Sequence, residues 1–267
     1  MNRPLVLDRI SLHIPDLAFI ELAAEAGFAA ISLWTGSDLP ELRISAFHKG
    51  TPAIAEISAA LRQNGLTVAG CEFLPFTDAD PVRLDWMAIE AAAELGAHFI
   101  TAVCYAPMDE PTAARRLAQR ADIAAGFGMD LTIEFMAPTL GSGICSVAAA
   151  DRIVTLAQRP NIGITADMLH LTRCGVTPAE IASVQPERFR YIQLCDGPLH
   201  MPPERQVEEA GARRQLPGAG AFRIGEYLQV LPRDLPVGME CPDVDIAPEI
   251  LAGRAFAAGQ ACLSALG

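Results

Sequence analysis

An α/β chain folded as one (β/α)₈ barrel, the TIM-barrel architecture, is the fold class this sequence predicts. Short apolar, β-rich runs alternate with longer alanine-rich runs from one end to the other, the pattern of parallel strands joined by helices. The candidate strands number eight, which is what closure requires. The 267 residues, 51% of them apolar, suffice for one large core, so one domain over residues 1–267 is expected.

The strands are expected near Ile10–Ile14, Ala29–Leu33, Thr67–Phe73, His98–Cys104, Leu131–Phe135, Ile162–Asp167, Tyr191–Cys195 and Val237–Cys241. Between them run helix-forming segments at Asp16–Ala26, Pro52–Asn64, Pro81–Leu95, Pro111–Phe127 and Val147–Gln158. Proline opens several of these, at a position where its missing N–H would be unpaired anyway. Gly27, Gly65, Gly96 and Gly128 each stand between a helical run and the next strand, as left-handed helix stops do. A doubly wound open sheet is the rival, but no G-x-G-x-x-G follows the first strand.

Two stretches break the rhythm, Thr35–Gly50 and the Pro-, Gly-, Glu- and Arg-rich Asp196–Ala221. In a barrel both follow strand carboxyl ends, where active sites lie, so each is either a substrate-covering loop or a tolerated surface insertion.

A formal charge of -12 and the lack of a Lys/Arg run give no field for phosphate backbones, which argues against nucleic acid as a partner. Seven cysteines without a C-x-x-C pair suggest reduced, buried thiols in a cytoplasmic protein. No apolar stretch suits a signal peptide or a membrane span, so no membrane association is expected. Alanine-rich outer helices permit a homo-oligomer.

Four polar residues interrupt late strands near their carboxyl ends: Glu134 in Leu-Thr-Ile-Glu-Phe, Asp167 in Gly-Ile-Thr-Ala-Asp, Gln193 in Tyr-Ile-Gln-Leu-Cys-Asp and Glu240 in Val-Gly-Met-Glu-Cys. A buried carboxylate must be neutralised or paired, and one shared cation would satisfy all of them. Three carboxylates and an amide carbonyl form an all-oxygen shell suited to Mg²⁺ or Mn²⁺, with Co²⁺ admissible and structural Zn²⁺ disfavoured. The alternative is that each pairs separately with an arginine or a backbone N–H. His170, three residues past Asp167, is placed to meet a substrate oxygen or to pack behind the site. His13, Trp34, Glu72 and Tyr105 fall near other strand ends and are candidates for the pocket lining.

The motifs Thr132-Ile133-Glu134, Asp167-Met168-Leu169-His170, Tyr191-Ile192-Gln193-Leu194-Cys195-Asp196, Arg214-Gln215-Leu216-Pro217-Gly218-Ala219-Gly220 and Gly238-Met239-Glu240-Cys241-Pro242 resemble the sugar phosphate isomerase/epimerase family with the xylose isomerase-like barrel. They span the second half of the chain, whereas the first half matches only in its βα rhythm. The resemblance implies one divalent cation held by Glu134, Asp167, Gln193 and Glu240, with the two glutamates doubling as acid/base groups. It places His170 beside the substrate carbonyl or hydroxyl. Many members carry His in the third ligand position; Gln193, with Asp196 three residues on, is similar to the version in hydroxypyruvate isomerase. The endonuclease IV branch needs a multi-histidine zinc cluster, and this chain has five histidines, including His48, His98 and His200.

Arg214, or the adjacent Arg213, is a candidate to hold a carboxylate, phosphate or hydroxyl-rich substrate, unless the segment is a solvated charged loop. The resulting expectation is an isomerase or epimerase that abstracts a proton next to a carbonyl of a small polyhydroxylated or keto-acid substrate through an enediolate. A carbon–oxygen lyase, such as a dehydratase of a keto-polyol or dehydroshikimate-like acid, shares the first half of that reaction. A barrel that binds a ligand without turnover is the third reading.

Overall fold

The computed structural model describes residues 3–36, 49–77 and 82–265. Eight parallel strands close on themselves in sequence order: β1 (Leu5–Leu7), β2 (Ala30–Trp34), β3 (Thr67–Phe76), β4 (Phe99–Cys104), β5 (Asp130–Glu134), β6 (Ile162–Asp167), β7 (Phe189–Leu194) and β8 (Val237–Met239). Closure comes from β8 against β1, with Leu5 opposite Val237 and Leu7 opposite Met239. β2, β4 and β6 are buried at every residue, as expected of strands covered by helices outside and by side chains within.

The outer layer contains α1 (Asp16–Ala26), α2 (Pro52–Asn64), α3 (Val82–Glu94), α4 (Glu110–Gly126), α5 (Val147–Ala157) and α10 (Pro248–Ser264). Shorter helices α6 (Met168–Arg173), α7 (Pro178–Ala182), α8 (Gln206–Ala212) and α9 (Ile224–Val230) follow β6 and β7. Local chemistry sets these limits. Asp109 caps α4 by accepting the Thr112 N–H at 2.7 Å, and Ser146 caps α5 through the Ala149 N–H at 3.1 Å. Gly27 and Gly65 end α1 and α2 with φ of 99° and 66°, values that a Cβ would disfavour.

Seven of the eight expected strands fall on observed ones, and the first is corrected. Ile10–Ile14 is not a strand: Arg9–Ser11 forms a 3₁₀ turn, and the pairing strand is the short Leu5–Leu7 before it. The alternating Ile-Ser-Leu-His-Ile segment imitates a strand, but the chain turns after Asp8 and Arg9 pins the turn, donating to Leu12 O at 2.7 Å and Ile14 O at 2.6 Å. Of the Thr35–Gly50 stretch, residues 37–48, including His48, lie outside the described residues. Asp196–Ala221 is an ordered excursion that carries α8 and returns to pair Asp196 with Gln215.

In the barrel interior a threonine ladder crosses three strands: Thr165 donates to Thr132 at 2.9 Å, and Thr132 donates to Thr101 at 3.0 Å. Each hydroxyl satisfies the next, so the polar layer needs no water. Among the described residues no helix is long and apolar enough to cross a membrane. All seven cysteines are free, with Cys71, Cys104, Cys195 and Cys241 buried.

Candidate functional site

Because the strands are parallel, their carboxyl ends share one face, and the register gathers polar side chains there. Glu134 ends β5 opposite Thr165, Asp167 ends β6 opposite Gln193, and Gln193 lies opposite Gly238 on β8, two residues before Glu240. On the other side of the mouth Glu72 lies opposite Trp34. A cavity of about 190 Å³ opens above them. Its floor includes Glu72, Glu134, His170, Gln193, Arg214 and Glu240, and its wall includes Ile10, Trp34, Phe73, Val103, Met136 and Leu140.

Two clusters of ligand atoms form at the strand ends. Glu134, Asp167 and His170 offer atoms within 4.8 Å of one another, and so do Asp8, Glu72 and Glu240. The Arg214 guanidinium spans the clusters, donating through Nη1 to Asp167 Oδ2 at 2.6 Å and through Nη2 to Glu240 Oε1 at 2.7 Å. Its Nε donates to Ala210 O at 2.8 Å. Asp167 also caps α6, its Oδ1 accepting the Leu169 N–H at 2.6 Å and the His170 N–H at 3.3 Å. The Gln193 amide donates to Glu72 Oε1 at 3.0 Å.

Five buried carboxylates therefore surround one buried guanidinium. Burial, reinforced by neighbouring acids, pushes Glu134 up to about 8 and both Glu72 and Glu240 well above the carboxylate range. Asp8 rises to about 7 through burial, against the hydrogen bonds from Tyr191 and Ser32. For Asp167 burial works in the same direction, but Arg214, His170 and the helix-capping N–H groups hold it below its ordinary value. Burial lowers His170 to about 4, so its imidazole is neutral near pH 7. Its Nδ1, Gln193 Oε1 and Glu240 Oε2 are buried with no hydrogen-bond partner among the described residues.

The donor set fits a hard divalent cation. Extra positive charge would relieve the acid excess, and Gln193 Oε1, an amide oxygen that does not take up a proton at neutral pH, lacks any donor.

The expected site residues are placed unevenly. Glu134, Gln193, Glu240, His170, Glu72, Tyr105, Trp34 and Arg214 line the one cavity, and Asp167 lies beneath it against Arg214. Arg213 faces the surface, pairing with Glu208 at 2.6 Å and with Asp245. His13 lines a neighbouring cavity with Ser11, Asp243 and Ile246, since the turn at Arg9–Ser11 carries it away from the mouth. Asp196 works on the backbone: it accepts the N–H groups of Gly197, Gly218 and Phe222 at 2.8, 3.0 and 2.9 Å and so folds the Pro-Gly turn after Arg214. His98 belongs to a cavity at the opposite end of the barrel, and His200 is exposed.

Asp8 went unread in the sequence, and Tyr191 stood there only as part of the motif around Gln193. Asp8 follows Leu-Val-Leu as Glu240 follows Val-Gly-Met, the same signal of an acid closing an apolar strand, hidden by the displaced first strand. Val207, Ala210 and Gly211 of α8 reach the cavity too, so the excursion after β7 covers the mouth.

Fold and mouth together define a parallel (β/α)₈ barrel whose carboxyl-end pocket concentrates acidic groups able to hold a metal ion. The chain belongs to the xylose isomerase-like TIM barrel family, whose model matches residues 20–262. Among solved structures it is similar to the IOLI protein with a bound zinc atom, at 17% identity and a TM-score of 0.83 over 99% of both chains. A xylose isomerase domain protein from Alicyclobacillus acidocaldarius is 21% identical, with a TM-score of 0.76 over 98% of both chains. The D-psicose 3-epimerase of Clostridium cellulolyticum H10, solved with D-tagatose, is 17% identical, with a TM-score of 0.75 over 98% of this chain and 99% of its own. No curated protein matches the chain by sequence.

Proposed function

We propose that this protein is a divalent-metal-dependent isomerase or epimerase acting on a small sugar, keto-polyol or hydroxy-keto acid. The observation that carries the reading is the excess of buried carboxylate around Gln193 and Glu240, whose Oε1 and Oε2 oxygens lack donors. Glu134, Asp167, Gln193 and Glu240 would hold the cation, with Mn²⁺ or Mg²⁺ favoured by the oxygen donors and Co²⁺ admissible. When bound, the cation supplies Lewis acidity that polarises a carbonyl and acidifies the adjacent C–H.

The chain's own groups do the rest. Glu134 and Glu240 both reach the cavity, so one takes the proton from the carbon between carbonyl and hydroxyl and either returns it. Return to the neighbouring carbon is isomerisation, and return from the opposite face by the second glutamate is epimerisation. The neutral His170, with Nδ1 unpaired, can bond a substrate hydroxyl or carbonyl without bringing charge. The apolar wall from Ile10 to Leu140 excludes water from the transferred proton.

A dehydratase would begin with the same proton removal and expel a β-hydroxyl. The buried Arg214 favours this second reading, because it could anchor an acidic substrate.

The test is proton exchange at the substrate α-carbon in D₂O with Mn²⁺, for wild type, Glu134→Gln and Glu240→Gln. Exchange is expected in wild type and a loss of about 10²-fold or more in each variant. If no sugar or keto acid exchanges above the metal-free control, proton abstraction is not what this site does.

A further inference from the structure

Asp8, Glu72 and Glu240 come from three strands, β1, β3 and the end of β8, and each offers an oxygen within 4.8 Å of the others. Each is held by a protein donor through one oxygen. Asp8 Oδ1 accepts from the Tyr191 hydroxyl at 2.6 Å, Glu72 Oε1 from the Gln193 amide at 3.0 Å and Glu240 Oε1 from Arg214 at 2.7 Å. Asp8 Oδ2 and Glu240 Oε2 are buried without a hydrogen-bond partner among the described residues. The Gln193 Oε1 oxygen, on the head group bonded to Glu72, is buried and unpartnered too.

We infer that Asp8, Glu72 and Glu240 form a second divalent-cation site, which shares only Glu240 with the ion proposed at Glu134, Asp167, Gln193 and Glu240.

The nearby guanidinium does not answer these oxygens. Arg214 donates to Asp167 Oδ2, Glu240 Oε1 and Ala210 O, and so reaches neither Asp8 Oδ2 nor Glu240 Oε2. Three carboxyl groups, none more than 6% exposed, are costly to bury together without a counter-charge. Ligand oxygens at about 2.0–2.6 Å from one cation stand up to roughly 5 Å apart, so a span of 4.8 Å closes on a single ion. An all-carboxylate set, with no nitrogen or sulfur, suits Mg²⁺, Mn²⁺ or Ca²⁺. Filling this site leaves Arg214 in place, since the cation takes the Glu240 oxygen that Arg214 does not use. Glu72 and Glu240 line the cavity and give the ion its way in. Bound there, it fixes Glu240 from the side away from Arg214.

Mn²⁺ is counted by equilibrium dialysis on wild type, Asp8→Asn, Glu72→Gln and Asp167→Asn, at a free concentration that just saturates wild type. Electron paramagnetic resonance is recorded on the loaded wild type. Two ions per chain are expected in wild type and one in each variant, with the wild-type pair spin-coupled through the shared Glu240. Asp8→Asn keeps an acceptor for Tyr191, and neither Asp8 nor Glu72 belongs to the first ligand set, so loss of one ion in either variant reads this site alone. One ion in wild type, undiminished in Asp8→Asn and Glu72→Gln, would overturn the inference and leave the first metal site standing. An uncoupled second ion that survives in both variants would overturn it as well, as binding to the acidic surface. One ion kept in Asp167→Asn and lost in Asp8→Asn supports this site and removes the first.

Discussion

The Tyr191 hydroxyl donates to Asp8 Oδ1 at 2.6 Å across the barrel interior, joining β7 to the residue that ends β1. Gly238 makes the contact feasible: a Cβ there would lie 2.0 Å from Asp8 Oδ2 and 2.2 Å from the Tyr191 hydroxyl. Tyr191→Phe removes one donor from a buried carboxyl, leaving Ser32, and should lower unfolding free energy by about 1–3 kcal/mol. Gly238→Ala forces the pair apart and should cost about 1–3 kcal/mol or more, measured by urea denaturation. Equal stability of Gly238→Ala and wild type would show that the strands adjust freely around this pair.

The cover over the mouth depends on Arg173. From the end of α6 it bonds both Glu209 oxygens, at 2.8 and 2.5 Å, and donates to Pro198 O and Leu199 O at 2.8 and 2.9 Å. Its guanidinium also stands over Phe222, 5.1 Å from the ring centroid. Glu209→Ala leaves that buried guanidinium with carbonyl partners but no carboxylate and should destabilise by about 3–5 kcal/mol. Because α8 also lines the cavity, KM should rise more than kcat falls; a change in kcat alone would mean that the cover does not contact substrate.

The metal-free protein should lose stability between pH 5 and pH 8. Burial first, then hydrogen bonding or neighbouring charge, sets Asp8 at about 7 in the folded state against an ordinary 3.8, and Glu134 at about 8 against 4.5. A raised carboxyl binds its proton more tightly folded than unfolded, so its contribution is fully present below the unfolded pKa and is lost as pH rises through the folded one. Asp167 is shifted the other way, with its window below 3.8. His170, lowered by burial to about 4 from 6.5, also opposes the fall and offsets part of it below pH 6.5, where the raised acids Asp8, Glu72, Glu134 and Glu240 outnumber it. Urea midpoints across this range should fall with pH and flatten with saturating Mn²⁺. A midpoint that rises from pH 5 to pH 8 without metal would contradict the buried-acid description.

The barrel was legible because alternation between β-rich and alanine-rich runs is a whole-chain signal, and helix limits such as Asp16–Ala26 and Pro52–Asn64 were written in proline starts and glycine stops. Glu134, Asp167, Gln193 and Glu240 stood out because a polar residue closing an apolar strand is conspicuous. Asp8 did not, because Leu5–Leu7 is only three residues long and the alternating Ile10–Ile14 beside it gave the stronger local pattern. That displacement also put His13 at a strand end that does not exist. Nothing local revealed that Arg214 would sit between Asp167 and Glu240, for the three are brought together by barrel closure and by the Asp196 turn. The sequence offered a shared cation or separate arginine pairing as alternatives, and here one arginine joins two of the acids at once.

The measurement closest to the centre of this reading is Mn²⁺ binding to wild type, Asp167→Asn and Glu240→Gln by calorimetry. One ion per chain at Asp167 and Glu240 is expected in wild type, with affinity reduced by about tenfold or more in each variant, since each loses a charged oxygen donor. Undiminished binding in both variants would contradict a metal site at Asp167 and Glu240.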